Sequence, residues 1–227
     1  TLKLFQQLQY KHTLLLDLVY GKDGETPVED GELTEHLDST MYEIGFITVP
    51  LYNTSTFAFA SDDQKAEMLQ LAQQAATAAN LMDYENVEDQ VSALHAAAQS
   101  ALPDIYAVLD ATPSDDASSV QTELLTESDL TSTFTQDGAA DAVRGLVYGE
   151  AAAVQYNGYS VILMMRIDPL QVSTLDALRS QILSDMKGEE LNDALAAYGA
   201  QLDSTLSSSA MGKLPASKIV NATSANS

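Results

Sequence analysis

Apolar positions recur with a helical period over most of this chain, broken by a few short stretches rich in β-branched, aromatic or continuous apolar residues, and that division sets out its elements. Leu2 to Tyr20 is spaced as a helix. Phe5, Leu8, His12, Leu15, Leu16 and Val19 fall on one face, and Gly21 stands where a C′ glycine ends a helix. Pro27-Val28-Glu29-Asp30 opens a second, short helix to about Thr40, with acids in the first turn where the helix dipole favours them. Glu43 to Tyr52 is rich in β-branched and aromatic residues and predicts a strand. Ser61-Asp62-Asp63-Gln64 is a capping box for a helix to about Asn80, with Ala66, Leu69, Ala72, Ala75 and Ala79 on one stripe. A further helix, Tyr84 to Ala101, carries Val87, Val91, Leu94 and Ala98; Pro103-Asp104 is expected to break it, with Ile105 to Leu109 a candidate for one further helical turn.

Ala111 to Ser119 reads as a surface loop, and Leu124-Leu125-Thr126 as a brief extended piece. Asp137 to Gly145 predicts a short helix with Ala140, Val143 and Leu146 inward. A hairpin follows: Asn157-Gly158 favours a type I′ turn, and Ser160 to Ile167 is an unbroken apolar strand except for Arg166. After Asp168-Pro169, Ser173 and Asp176 start a helix through Leu175, Leu178, Ile182 and Met186. Gly188 is expected to interrupt it before a second piece with Leu191, Leu195 and Tyr198. A Ser-, Gly- and Ala-rich tail leads to Leu214–Val220, and residues 221–227 read as disordered. This order predicts an α+β fold, with a small sheet in the middle and amphipathic terminal helices that need each other or a partner.

Charge changes the picture more than size does. Among 227 residues, 33 acids face 10 bases, for a net charge of −23 and a pI near 4.1. No lysine or arginine lies between Lys65 and Arg144. Such a field disfavours nucleic acid and anionic lipid as partners; it suits solubility and attracts basic clients. Cysteine is absent, which excludes disulfides, thiolate catalysis and Cys-based metal sites. No apolar run reaches the roughly 18 residues of a membrane-spanning helix. The chain opens on Thr1, so a leader or other N-terminal segment is expected to be missing.

Several stretches together resemble the exported foldases of the PrsA and SurA type. In these, a parvulin peptidyl-prolyl isomerase domain is inserted between helical segments that pair as a chaperone domain. The stretches are Tyr20 to Leu33, Glu43-Ile44-Gly45-Phe46-Ile47-Thr48-Val49, the alanine-rich Ser61 to Asn80, and Phe134 to Ile167 with its Gly149-Glu150 and Gly158-Tyr159 turns. The resemblance implies a parvulin-like (FKBP-like) sheet domain over 43–168, with 1–42 and 169–220 as the two halves of the helical domain. It implies unfolded or nascent exported polypeptides as partners, no cofactor and no metal. It also implies an extracytoplasmic location, with anchoring through an N-terminal lipid and a homodimer as options.

The same resemblance locates the chemistry. Parvulins are similar in keeping a histidine on the first strand and another on the last, beneath a proline pocket. Here the first-strand position is Phe46 or its neighbour Gly45, and the last-strand position is Ser160. The chain's three histidines lie elsewhere: His12 on an apolar helix face, His36 on a polar helix and His95 beside Leu94. The expected client-binding residues are Phe46, Tyr148, Tyr159, Met164 and Met165. The consecutive methionines point to opposite faces of a strand, so at least one is core. Tyr148, Tyr156 and Tyr159 gather around the hairpin, either as an aromatic rim for proline-containing chains or as a cap on the sheet edge. The acid runs Asp62-Asp63, Glu88-Asp89, Asp115-Asp116 and Glu189-Glu190 lack the alternation of a calcium loop and read as solvated surface. Hydrolase, nucleotide and zinc-protease motifs are absent. Three readings remain: a binding factor with isomerase activity weak or lost, an active isomerase with a rearranged site, and a dimerising adaptor.

Overall fold

The computed structural model describes the backbone of residues 2–201 and the side chains of residues 6–8 and 10–201. Phe5, Leu214–Val220 and residues 221–227 lie outside those described side chains and residues. The chain divides into two compact units, residues 1–186 and 187–227.

The elements are α1 (Leu2–Tyr20), α2 (Asp30–Thr40), β1 (Met41–Pro50), α3 (Asp62–Asn80), α4 (Val87–Ala107), β2 (Gln121–Thr126), α5 (Glu127–Thr133), α6 (Ala139–Gly145), β3 (Ala151–Asn157), β4 (Ser160–Arg166), α7 (Pro169–Val172) and α8 (Leu175–Gln201). The architecture is mixed α+β around one four-stranded antiparallel sheet, in the order β2-β1-β4-β3. Side chains alternate across it. Ile47, Val49, Val161, Leu163 and Met165 pack with α3 and α4; Tyr42, Ile44, Ile162 and Met164 pack with α5 and α6. Small residues let the two long helices of the first layer approach closely: Ala72, Ala75, Ala76 and Ala79 on α3, and Ala93, Ala97 and Ala98 on α4, are all buried.

Helix ends follow local chemistry. The Ser61 box is formed in both directions: Gln64 N–H donates to Ser61 Oγ at 3.3 Å, and Ser61 N–H to Gln64 Oε1 at 2.9 Å. Gly21 does end α1, but for space: a Cβ there would lie 2.3 Å from the Asp17 carbonyl oxygen. Several expectations need correction. Pro103 does not break α4, because Leu102 and Ile105 are buried on either side of it and their packing outweighs one missing hydrogen bond. Gly188 does not interrupt α8, and the cap is Thr174, whose Oγ1 accepts from Ala177 N–H, rather than Ser173. On α3 the inward position is Met68, and Ala66 is exposed. The sequence pattern does not predict helix α5, although Thr126 and Asp129 form a capping box before it.

The hairpin turn also differs from expectation. Neither Asn157 nor Gly158 takes a left-handed conformation, so the turn is not type I′. Gly158 and Tyr159 form the turn between paired Asn157 and Ser160, and Asn157 Oδ1 accepts from Tyr159 N–H at 2.8 Å. Asparagine serves here by its side-chain acceptor rather than by tolerance of positive φ.

The start of α8 is tied to earlier elements. Arg179 pairs with Asp30 of α2, and His36 Nε2 lies 2.7 Å from Asp185 Oδ2. Residues of α1 (Tyr10, Thr13, Leu14, Leu16) and of α8 (Ser180, Leu183) line one cavity of about 190 Å³.

Candidate functional site

Phe46 and Ser160 share a sheet face but do not meet. Phe46 pairs with Met164, whereas Ser160 pairs with Pro50, four positions further along β1. At strand rise that is a separation of about 13 Å. Gly45 has no space for a ring: a Cβ there would already lie 3.3 Å from Val120 Cγ1, with Leu94 and Val91 beyond. Met164 and Met165 are both fully buried, one in each layer. Neither faces solvent, so neither can touch a client without the sheet opening.

The three tyrosines do not form one rim. The Tyr156 ring packs tilted against that of Phe134, with centroids 5.6 Å apart. Tyr148 lies near the far end of β4, its hydroxyl donating to Asp38 Oδ1 at 3.0 Å. Burial first, and then the Asp38 carboxylate, push that phenol above its ordinary value. Tyr159 sits at the hairpin tip, at the opposite end of β4. The histidines are equally dispersed. His95 Nδ1 lies 2.7 Å from the Ser118 carbonyl and fastens α4 to the loop before β2. His36 belongs to the pair with Asp185, and His12 has a buried Nε2 with no hydrogen-bond partner among the described residues. Among the described residues no group of three potential metal ligands gathers.

What the structure does assemble is a cluster of uncovered rings at the Tyr159 end of the sheet. β1 continues past Pro50 into a small side loop: Leu51 N–H donates to the Tyr159 carbonyl at 2.7 Å, and Ala60 N–H to the Leu51 carbonyl at 2.9 Å. Asn53 builds the loop. Its Oδ1 accepts from Ser55 and Thr56 N–H, and its Nδ2 donates to the Leu109 carbonyl at 2.9 Å. The Tyr52 and Phe59 ring centroids are 5.8 Å apart, and those of Phe59 and Tyr159 are 5.9 Å apart. Phe57, Phe59 and Tyr159 are 73%, 64% and 62% exposed. Phe57 has φ +58°, a left-handed conformation that phenylalanine rarely takes.

Of this cluster the sequence pattern singles out only Tyr159. The available signal was Phe57-Ala58-Phe59 in an otherwise polar loop, two of only five phenylalanines in the chain. Chemically the cluster offers apolar faces and no acid, base or nucleophile beyond phenol groups, so it is equipped to bind rather than to transform. No protein-family model, curated protein or solved structure matches this chain.

Proposed function

We propose that this chain is a divergent relative of the parvulin foldases: an extracytoplasmic folding factor that holds unfolded or proline-containing polypeptide, with isomerase chemistry weak or lost. The observation that carries the reading is the ring cluster in which half-buried Tyr52 adjoins exposed Phe59, and Phe59 adjoins exposed Tyr159, with exposed Phe57 on the same loop. Aromatic faces bury much area against proline rings and apolar side chains without demanding one sequence. Phe57 adds to the argument. Its left-handed backbone costs about 1–2 kcal/mol, and a ring left mostly in water recovers little of that by packing within the molecule.

Element order supports the family assignment. β1, the alanine-rich α3, the short α6 and the hairpin of β3 and β4 follow one another as the resemblance requires. On α1, Tyr10, Leu14 and Leu18 are exposed at four-residue spacing, a second apolar stripe suited to the helical half of such a factor. Weak or lost isomerase chemistry is in keeping with the strand positions: where the resemblance puts a hydrogen-bonding histidine, Phe46 offers no polar group, and Ser160 is too distant to act with it. The negative field would draw basic clients and repel nucleic acid.

Suppression of aggregation of a denatured test protein is the direct assay. The wild type is expected to suppress it, and Phe57→Ser with Phe59→Ser to lose most of that effect. Because both side chains are exposed, the melting temperature should shift by no more than about 2 °C. Equal suppression by both proteins would remove the ring cluster from this reading. A prolyl-peptide isomerisation rate well above background would favour the rearranged-site alternative instead. A stable dimer in light scattering with no suppression would favour the adaptor.

A further inference from the structure

The chain has three arginines among its 33 acids, and two of them are held as expected. Arg144 lies between Glu127 and Asp141, and Arg179 between Asp30 and Asp176. Arg166, the last residue of β4, is different. It is only 5% exposed, yet among the described residues no carboxylate lies within ion-pair distance of it. Its guanidinium carbon sits 4.4 Å from the Tyr42 ring centroid and 5.4 Å from that of Tyr148. Nη2 donates to the Met41 carbonyl at 2.9 Å, and the buried Nε has no acceptor among the described residues.

Part of this arrangement is structural. Met41 is the C-cap of α2, a helix with no basic residue in its last turn, so Arg166 supplies the positive charge that a helix C-terminus favours. The two rings add cation–π attraction. Neither contact brings a counter-charge, and a buried guanidinium without a carboxylate is costly unless an anion completes it. Arg166 also lines an open cavity of about 330 Å³, shared with Asp38, Leu146, Val147 and Tyr148. That volume is at the small end of ligand sites and suits a group the size of one residue.

We infer that this cavity is a carboxylate-binding site, with Arg166 as the anchoring cation and a polypeptide carboxylate as its ligand. Nη1, and Nη2 beyond its bond to the Met41 carbonyl, are the donors left for a carboxylate, and the tyrosine rings hold the guanidinium in place. Asp38, on the cavity wall, keeps acceptor capacity beyond its bond from Tyr148 for an N–H next to the bound carboxylate, a role an asparagine oxygen would fill equally, whereas its charge opposes the carboxylate itself. A peptide end or an acidic side chain presents that combination. The site is separate from the ring cluster: Arg166 and Ser160 bracket β4, about 20 Å apart. Its fate is therefore independent of the Phe57 and Phe59 variants.

Arginine Nε–Hε resonances provide the test, since an arginine-labelled sample gives one for each of three residues. Loss of single peaks in Arg144→Lys and Arg179→Lys assigns the third to Arg166 in the unaltered protein. Three blocked peptides are titrated at constant ionic strength: one with a free C-terminus, one amidated with an internal glutamate, and one amidated and neutral. Saturable movement of the Arg166 peak alone is expected with the first or the second, identifying the source, and none with the third. Asp38→Asn removes a competing charge and should tighten binding roughly two- to fivefold, the scale of one exposed charge pair. No selective movement with either carboxylate peptide, or equal movement of all three peaks, would overturn the inference. The Phe57→Ser, Phe59→Ser protein should give the same titration, so failure of the ring cluster and failure of this site are distinguishable.

Discussion

At the scale of single residues, two positions are held against their own preferences. Phe57 adopts φ +58° with its ring mostly in water. Asparagine tolerates that backbone far better. Phe57→Asn is therefore expected to stabilise the protein by about 1 kcal/mol, raising the melting temperature by roughly 2–4 °C, while weakening client binding. A calorimetric scan beside a binding assay checks both halves; a loss of stability would mean that the ring packs more than its exposure indicates. Glu43 is the opposite case, a carboxyl nearly buried on β1. Burial first, and then the charge of Glu123, raise its pKa above 4.5, the value for a free side chain. Below pH 4.5 it is protonated folded or unfolded; as pH rises towards the folded-state value, the unfolded chain ionises more readily and stability is lost. Glu43→Gln should accordingly melt at a higher temperature than the parent at pH 7, with an advantage that fades as pH falls through that window. Melting curves across pH 4 to 7 measure it.

At the scale of elements, the interior of the fold depends on a few side chains that act as backbone. Asn80, the last residue of α3, lies along β3: its Oδ1 accepts from Ala151 N–H at 2.7 Å and its Nδ2 donates to the Ala151 carbonyl at 2.9 Å. The amide thus satisfies both backbone groups at the start of an edge strand and fixes where α3 ends over the sheet. Asn80→Ala is expected to cost about 1–3 kcal/mol in urea unfolding, well above an exposed alanine substitution elsewhere on α3. Local signals of this kind explain what the letters reveal and what they do not. The Ser61 box, the alanine face of α3 and the apolar run of β4 are visible because each depends on neighbours in sequence. Pro103 and Gly188 mislead because α4 and α8 are decided by burial and helix continuity rather than by propensity. The hairpin tip misleads for another reason. Asn-Gly is compatible with more than one turn, and here the Asn157 side chain, through its bond from Tyr159 N–H, takes part in a turn without positive φ.

At the scale of the whole molecule, the sheet layers were more legible than the surfaces that bind. Burial of alternating positions writes itself into the sequence, whereas an exposed ring in a polar loop, such as Phe57 or Phe59, looks like any loop residue until its neighbours are known. Arg166 reads as a strand end, and only the folded chain brings Met41, Tyr42 and Tyr148 around it. Net charge, by contrast, is plain from composition and acts on every surface at once. With −23 charges the folded chain repels itself, and screening shortens the reach of each charge from about 30 Å at 0.01 M salt to about 3 Å at 1 M. Stability should therefore rise with sodium chloride over that range. Client binding should divide by chemistry. A lysine-rich peptide gains from the field at low salt and loses that gain on screening; a neutral peptide with the same aromatic content depends on ring contact and keeps its affinity. Parallel titrations of the two peptides at low and high salt separate the contributions. If the neutral peptide binds at neither salt concentration while the basic one binds only at low salt, attraction is purely electrostatic and the exposed rings are not the surface that holds the client.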